Sequence, residues 1–167
     1  MVATIALSRL LDEAQRGWPG WRQAIGFIHG PSGQGETAAT ELPLHWSETE
    51  SIRWRAPLPG IGNSSPIVWN DHLFVTTSAA DGSARQLHDL DRTSGALRWS
   101  QVVPDHKPEQ GVREKNGFAS PTPVTDGERV IALFGTAGLL AYDFAGQLLW
   151  QHPLPDFKTM HGCGASP

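Results

Sequence analysis

Three tryptophans at the same place in a recurring pattern constrain this chain more than any other feature. Trp54, Trp99 and Trp150 stand 45 and 51 residues apart. Each has an aliphatic residue two before it (Ile52, Leu97, Leu148) and a proline five after it (Pro59, Pro104, Pro155). A Ser-Pro pair then follows, at Ser65-Pro66, Ser120-Pro121 and Ser166-Pro167. A fixed order of signals at this period marks stacked units that cannot each bury an apolar face alone.

The best-formed copy runs from Leu90 to Trp99. It reads as a strand end, a turn in which Asp91 and Thr93 can bond nearby backbone, a glycine at Gly95 for positive φ, and a second strand. Leu97 and Trp99, two apart, are expected on one face of that strand. Tyr142 to Trp150 repeats the pattern one residue shorter, with Asp143 and Gly146, and a degenerate copy ends at Trp54. Alternation and turn signals predict strands at 52–58, 65–69, 73–78, 85–90 and 96–103, then at 120–125, 129–134, 139–143 and 147–153. Two four-stranded antiparallel meanders follow, spanning about 65–103 and 120–153. Val130 to Phe134 is apolar throughout, as a strand covered on both faces would be.

The segments before Ile52 differ. Leu7, Leu10, Leu11 and Ala14 keep helical spacing, so residues 1–17 are expected to form a short amphipathic helix ended by Gly17 and Pro19. Residues 18–51 form a Gly/Pro-rich lead-in. Its Gly30-Pro31-Ser32-Gly33-Gln34-Gly35 stretch lacks the Gly-Lys-Ser/Thr ending of a phosphate loop and reads as a surface loop.

Composition narrows the partners. Among 167 residues, 39% are hydrophobic and 18% charged, the balance of a folded chain. A net charge of −4 with no Lys/Arg run argues against nucleic acid. Cys163 is the sole cysteine, so no internal disulfide can form. Val2 to Leu7 is too short and lacks the basic flank of a signal peptide, and no stretch is long enough to span a bilayer as a helix.

The Asp-x-x-x-Gly-x-x-x-Trp pattern at Asp91, Gly95 and Trp99, with its shortened copy at Asp143, Gly146 and Trp150, resembles the tryptophan-docking motif of the PQQ-like (quinoprotein-like) β-propeller repeat family. The stretches Trp18 to Arg22 and Leu42 to Trp54 resemble the BamB-like bacterial members. The resemblance implies an all-β fold, here a partial propeller over residues 52–167 with a third blade cut off at 167 and further blades of the same chain missing downstream. It implies a periplasmic or secreted protein. It also implies that Ile52 to Leu58, the outer strand of a last blade, lacks its native partner here.

Function is expected in the loops that leave the outer strands, where propeller ligands bind. The loop after Val103 holds His106, Lys115 and Asn116, and the last holds His161 and Cys163. These loop residues are the candidates for contact with a protein or small-molecule ligand. A metal at His161 and Cys163 would need further ligands, with His106 a remote third, and a half-buried loop thiol is the plainer expectation. Lys115 and Asn116 suit structural hydrogen bonding better than ligand contact. His88 and Asp89 fall on opposite strand faces and cannot act together directly. The expectation is a non-catalytic binding scaffold of the bacterial envelope, with no cofactor and no metal. The alternative is a piece of a PQQ-dependent alcohol or sugar dehydrogenase, which would bring PQQ and Ca²⁺ and a vicinal cysteine pair that this sequence lacks.

Overall fold

The computed structural model describes residues 2–8, 45, 47, 49–104, 106, 117–154 and 162–167. Ten strands are present among them: β1 (Val2–Ser8), β2 (Ile52–Pro59), β3 (Ile67–Trp69), β4 (His72–Ser78), β5 (Arg85–Asp91), β6 (Leu97–Val102), β7 (Val124–Thr125), β8 (Arg129–Leu133), β9 (Leu139–Asp143) and β10 (Leu148–His152). They form a β1–β2 pair and two four-stranded antiparallel meanders, β3-β4-β5-β6 and β7-β8-β9-β10. This is the partial β-propeller that the repeat predicts, with each meander a blade.

The inner strands are shorter than expected. β3 starts at Ile67 and β7 at Val124 because Pro66, Pro121 and Pro123 have no N–H for a ladder. Side chains make the links instead. The Ser65 N–H donates to Thr122 Oγ1 at 3.1 Å, and the Thr122 N–H donates to Ser166 Oγ at 3.1 Å. The Ser-Pro repeats thus join neighbouring units at their inner ends.

Each outer strand carries a one-residue bulge before its tryptophan. Leu90 faces Leu97 and Asp89 faces Trp99, leaving Arg98 as the extra residue. Arg53 holds the same place between Ser8–Ile52 and Leu7–Trp54, and Leu149 between Tyr142–Leu148 and Ala141–Trp150. An inserted residue shifts the phase of alternation. Leu97 and Trp99 therefore lie on opposite faces, not on one: Leu97 shares a face with Leu90 and is exposed, while Trp99 joins the core between the blades.

That core is built from the facing sides of both blades: Ile67, Phe74, Leu87 and Val103 from the first, Val130, Ala132, Phe134, Leu140 and Tyr142 from the second. A second cluster (Ala56, Leu58, Val68, Leu73, Val75, Leu90) seats β2 on the other side of the first blade. Strand β4 is consequently buried from Leu73 to Ser78. Strand β8, expected to be covered on both faces, is buried at Val130 and Ala132 on one face and at Leu133 on the other, where Ile131 is half-buried.

The tryptophans lock one unit to the turn of the next. The Trp54 indole N–H donates to the Arg92 carbonyl at 2.8 Å, and that of Trp99 to the Phe144 carbonyl at 3.0 Å, in each case the residue after the motif aspartate. The turns have the shape this needs. Asp91 Oδ1 accepts from the Thr93 and Ser94 N–H groups at 3.0 and 2.8 Å, and Gly95 takes φ 74°. A Cβ on Gly95 would lie 2.4 Å from the Trp54 ring, and one on Gly146 2.9 Å from the Trp99 ring. Gly95→Ala is expected to cost at least ~2 kcal/mol, combining left-handed backbone strain with overpacking. A urea melt of the variant checks this.

Two expectations about the N-terminal region are corrected. Val2–Ser8 is a strand, so that part of the segment predicted as a helix over 1–17 is extended; residues 9–17 lie outside the described residues. Strand pairing with an otherwise unpartnered edge outweighs the helical spacing, whose first member is Leu7. Strand β2, expected to lack a partner, has one in β1 over seven residue pairs.

Candidate functional site

Antiparallel connectivity puts the variable loops at one end of the blades and the Gly95 and Gly146 turns at the other. At the loop end, the hairpin of residues 79–84 forms a floor. His106 Nε2 lies 3.0 Å from the Gly82 carbonyl oxygen. The Phe118 ring covers Gly82, where a Cβ would be 2.8 Å from the ring. Beneath Phe118 the guanidinium of Arg85 sits 5.1 Å from the ring centroid, and its Nη1 donates to the Phe134 carbonyl. Arg85 is wholly buried. The two described ends of the 104–119 loop are thus clamped onto the first blade, and Arg85 ties them to the second.

Of the residues predicted to face a ligand, Lys115, Asn116 and His161 lie outside the described residues. Cys163 is half-buried, its sulfur 4.0 Å from the Ala165 carbonyl oxygen. No group of three or more His, Cys, Asp or Glu side chains is poised for a metal among the described residues. The single cysteine among these 167 residues leaves no vicinal pair of the kind the dehydrogenase alternative implies.

Most of the buried polar groups lie within the first blade, with Thr122 and Thr125 in the second, and the register explains two of them, His88 and Asp89. His88 and Asp89 do point to opposite faces. His88 faces Ser100 and reaches Thr77: its Nδ1 is 2.6 Å from Ser100 Oγ and its Nε2 2.7 Å from Thr77 Oγ1. Two hydroxyls, each able to donate or accept, satisfy a neutral imidazole completely. Burial pushes its pKa down to about 4. Asp89, on the other face, meets His72 Nδ1 at 2.7 Å, and burial pushes its carboxyl up despite the histidine.

Sequence reasoning missed the His72–Asp89 pair. His72 is opposite Asp91, so Asp89 is its diagonal neighbour, a relation visible only once the Asn70-Asp71 turn fixes the hairpin register. The His72 ring stacks on Phe74 (5.6 Å between centroids) and meets Phe144 of the second blade at 4.8 Å. This pair therefore sits beside the Trp99 contact, in the seam between blades. Asp91 serves the turn: hydrogen bonds from Ser94, then Arg98, hold its carboxyl down to about 2. Arg85 was also missed; an arginine opening a strand gives no sign in sequence that an aromatic will cover it.

A family model described as outer membrane protein assembly factor BamB matches residues 9–163. Among solved structures, BamB from Moraxella catarrhalis is similar, at 20% identity and a TM-score of 0.43, over 62% of this chain. The match spans 27% of that structure's chain. No curated protein matches the chain in sequence.

Proposed function

The chain belongs to the family of the outer membrane protein assembly factor BamB, and from that premise we propose that it is a non-catalytic, protein-binding section of a β-propeller in the bacterial envelope. The observation that carries the reading is the use made of its motif residues. Asp91, Gly95 and Trp54, and then Gly146 and Trp99, are spent on seating one unit upon the next. The blades are thereby a rigid frame, and tryptophan docking is its fastening. What varies on that frame is the loop end, where Arg85 and Phe118 brace the 104–119 loop. A loop anchored at its described ends on a rigid support suits recognition of a folded partner. The family description makes a component of the outer-membrane assembly machinery the partner to test, and the periplasm the compartment.

Two measurements test this. Calorimetric titration of the purified protein with PQQ and Ca²⁺ is expected to show no saturable binding, and no quinone-dependent dye reduction with alcohols or sugars. Tight one-to-one quinone binding would establish the dehydrogenase reading instead. Binding to the purified assembly machinery should fall at least tenfold when residues 105–116 are replaced by a short Gly-Ser linker. Undiminished binding by a folded variant would place recognition elsewhere.

A further inference from the structure

The structure assigns β2 a second role: its edge is a strand-accepting slot, filled by β1, and we propose that β1 of a second copy can take the same place by strand exchange.

The β1–β2 pair reproduces the pairing inside a blade. In both blades the third strand meets the outer strand antiparallel, with one extra residue before the tryptophan. β1 meets β2 in the same way: Leu7 opposes Trp54, Ser8 opposes Ile52, and Arg53 is the extra residue. β1 thus stands where a blade's third strand would stand, and among the described residues this sheet has two strands.

β2 also has contacts of its own with the first blade. Ala56 and Leu58 are buried against Val68, Leu73, Val75 and Leu90, and Trp54 is fixed by its bond to Arg92. Between Ser8 and Ile52 the sequence has 43 residues, so no tight turn binds β1 to its own β2. A second copy fits best among strand donors because it offers the identical seven pairs, and exchange of an identical element needs no new contact.

Disulfide trapping tests the exchange in full-length chains carrying Cys163→Ser. Thr4 and Pro57 are directly opposed. One chain carrying both Thr4→Cys and Pro57→Cys should close an internal disulfide when dilute, which verifies the register. Mixing a Thr4→Cys chain with a Pro57→Cys chain at high concentration should shift mass from monomer to a disulfide heterodimer, in clear excess over both homodimers. Excess of unlabelled wild type should suppress it. Failure of the double variant to close, or its closure without heterodimer excess in the mixture, overturns the proposal. Binding of the assembly machinery is a separate readout, so loss of one reading leaves the other standing.

Discussion

Replacing Trp99 with alanine is expected to destabilise the protein by about 3 kcal/mol, the low end of the range for truncating a large aromatic in a core. The low end applies because Trp99 is half-buried and not enclosed. Its ring lies 6.0 Å from Phe74 and 6.2 Å from Tyr142, and its indole N–H holds the Phe144 carbonyl. Phe144 in turn packs on Phe74 and His72. Removing the indole opens the seam along its outer end. Trp99→Phe separates the two contributions: keeping an aromatic ring while losing the N–H should cost about 1 kcal/mol, the net worth of one hydrogen bond. Trp150 is the internal control. It holds the same place in the repeat, yet it is 39% exposed, and its indole finds no acceptor among the described residues. Trp150→Ala should therefore cost under about 1 kcal/mol, as surface changes do. Urea melts of the three variants decide it. Equal losses for Trp99→Ala and Trp150→Ala would show that docking on the Gly146 turn contributes nothing.

That contrast also shows which parts of the fold were legible in sequence. The blades were, because their signals are local: turn chemistry at Asp91–Gly95, alternation along each strand, and a period long enough for four strands. The docking of Trp54 and Trp99 was legible through the family motif. What escaped depended on register. The bulge at Arg98 turns Leu97 away from Trp99, and nothing in Leu97-Arg98-Trp99 itself distinguishes an alternating strand from a bulged one. The same holds for the His72–Asp89 pair, which joins residues from two strands along a diagonal. Strand β1 escaped for a different reason. Its apolar residues fit a helix start as well as a strand, and only the waiting edge of β2, 44 positions after Ser8, decides between them. The loops expected to form the site lie largely outside the described residues, and the brace at the ends of the first was not legible: Arg85 under Phe118 is a contact between segments 33 positions apart.

Stability should fall by roughly 3 kcal/mol between neutral pH and pH 4 on account of His88 alone. Its folded pKa is depressed to about 4, against about 6.5 in an unfolded chain. The sign follows from which state takes up the proton first. As pH falls through about 6.5 the unfolded chain protonates this histidine while the folded chain does not, so the unfolded state gains. The loss accumulates until the folded group also titrates near 4. Each intervening pH unit contributes about 1.4 kcal/mol. The groups around it set the limits of the effect. Thr77 and Ser100 do not titrate in this range, so they cannot offset it. Asp89, on the opposite face, works the other way: its folded pKa is raised, so its protonation favours the folded state as pH falls. Asp91 is held down to about 2 and loses its contribution only below the ordinary aspartate range, where its exposure makes the effect small. The difference between wild type and His88→Gln isolates the histidine, because glutamine can keep a hydrogen bond to Thr77 or Ser100 without titrating. Urea melts from pH 7.5 to 4 should give a wild-type stability that declines more steeply than that of the variant, the two curves diverging chiefly below pH 6.5. Parallel curves would mean that the imidazole is solvated, and that the seat between Thr77 and Ser100 does not exclude its charged form.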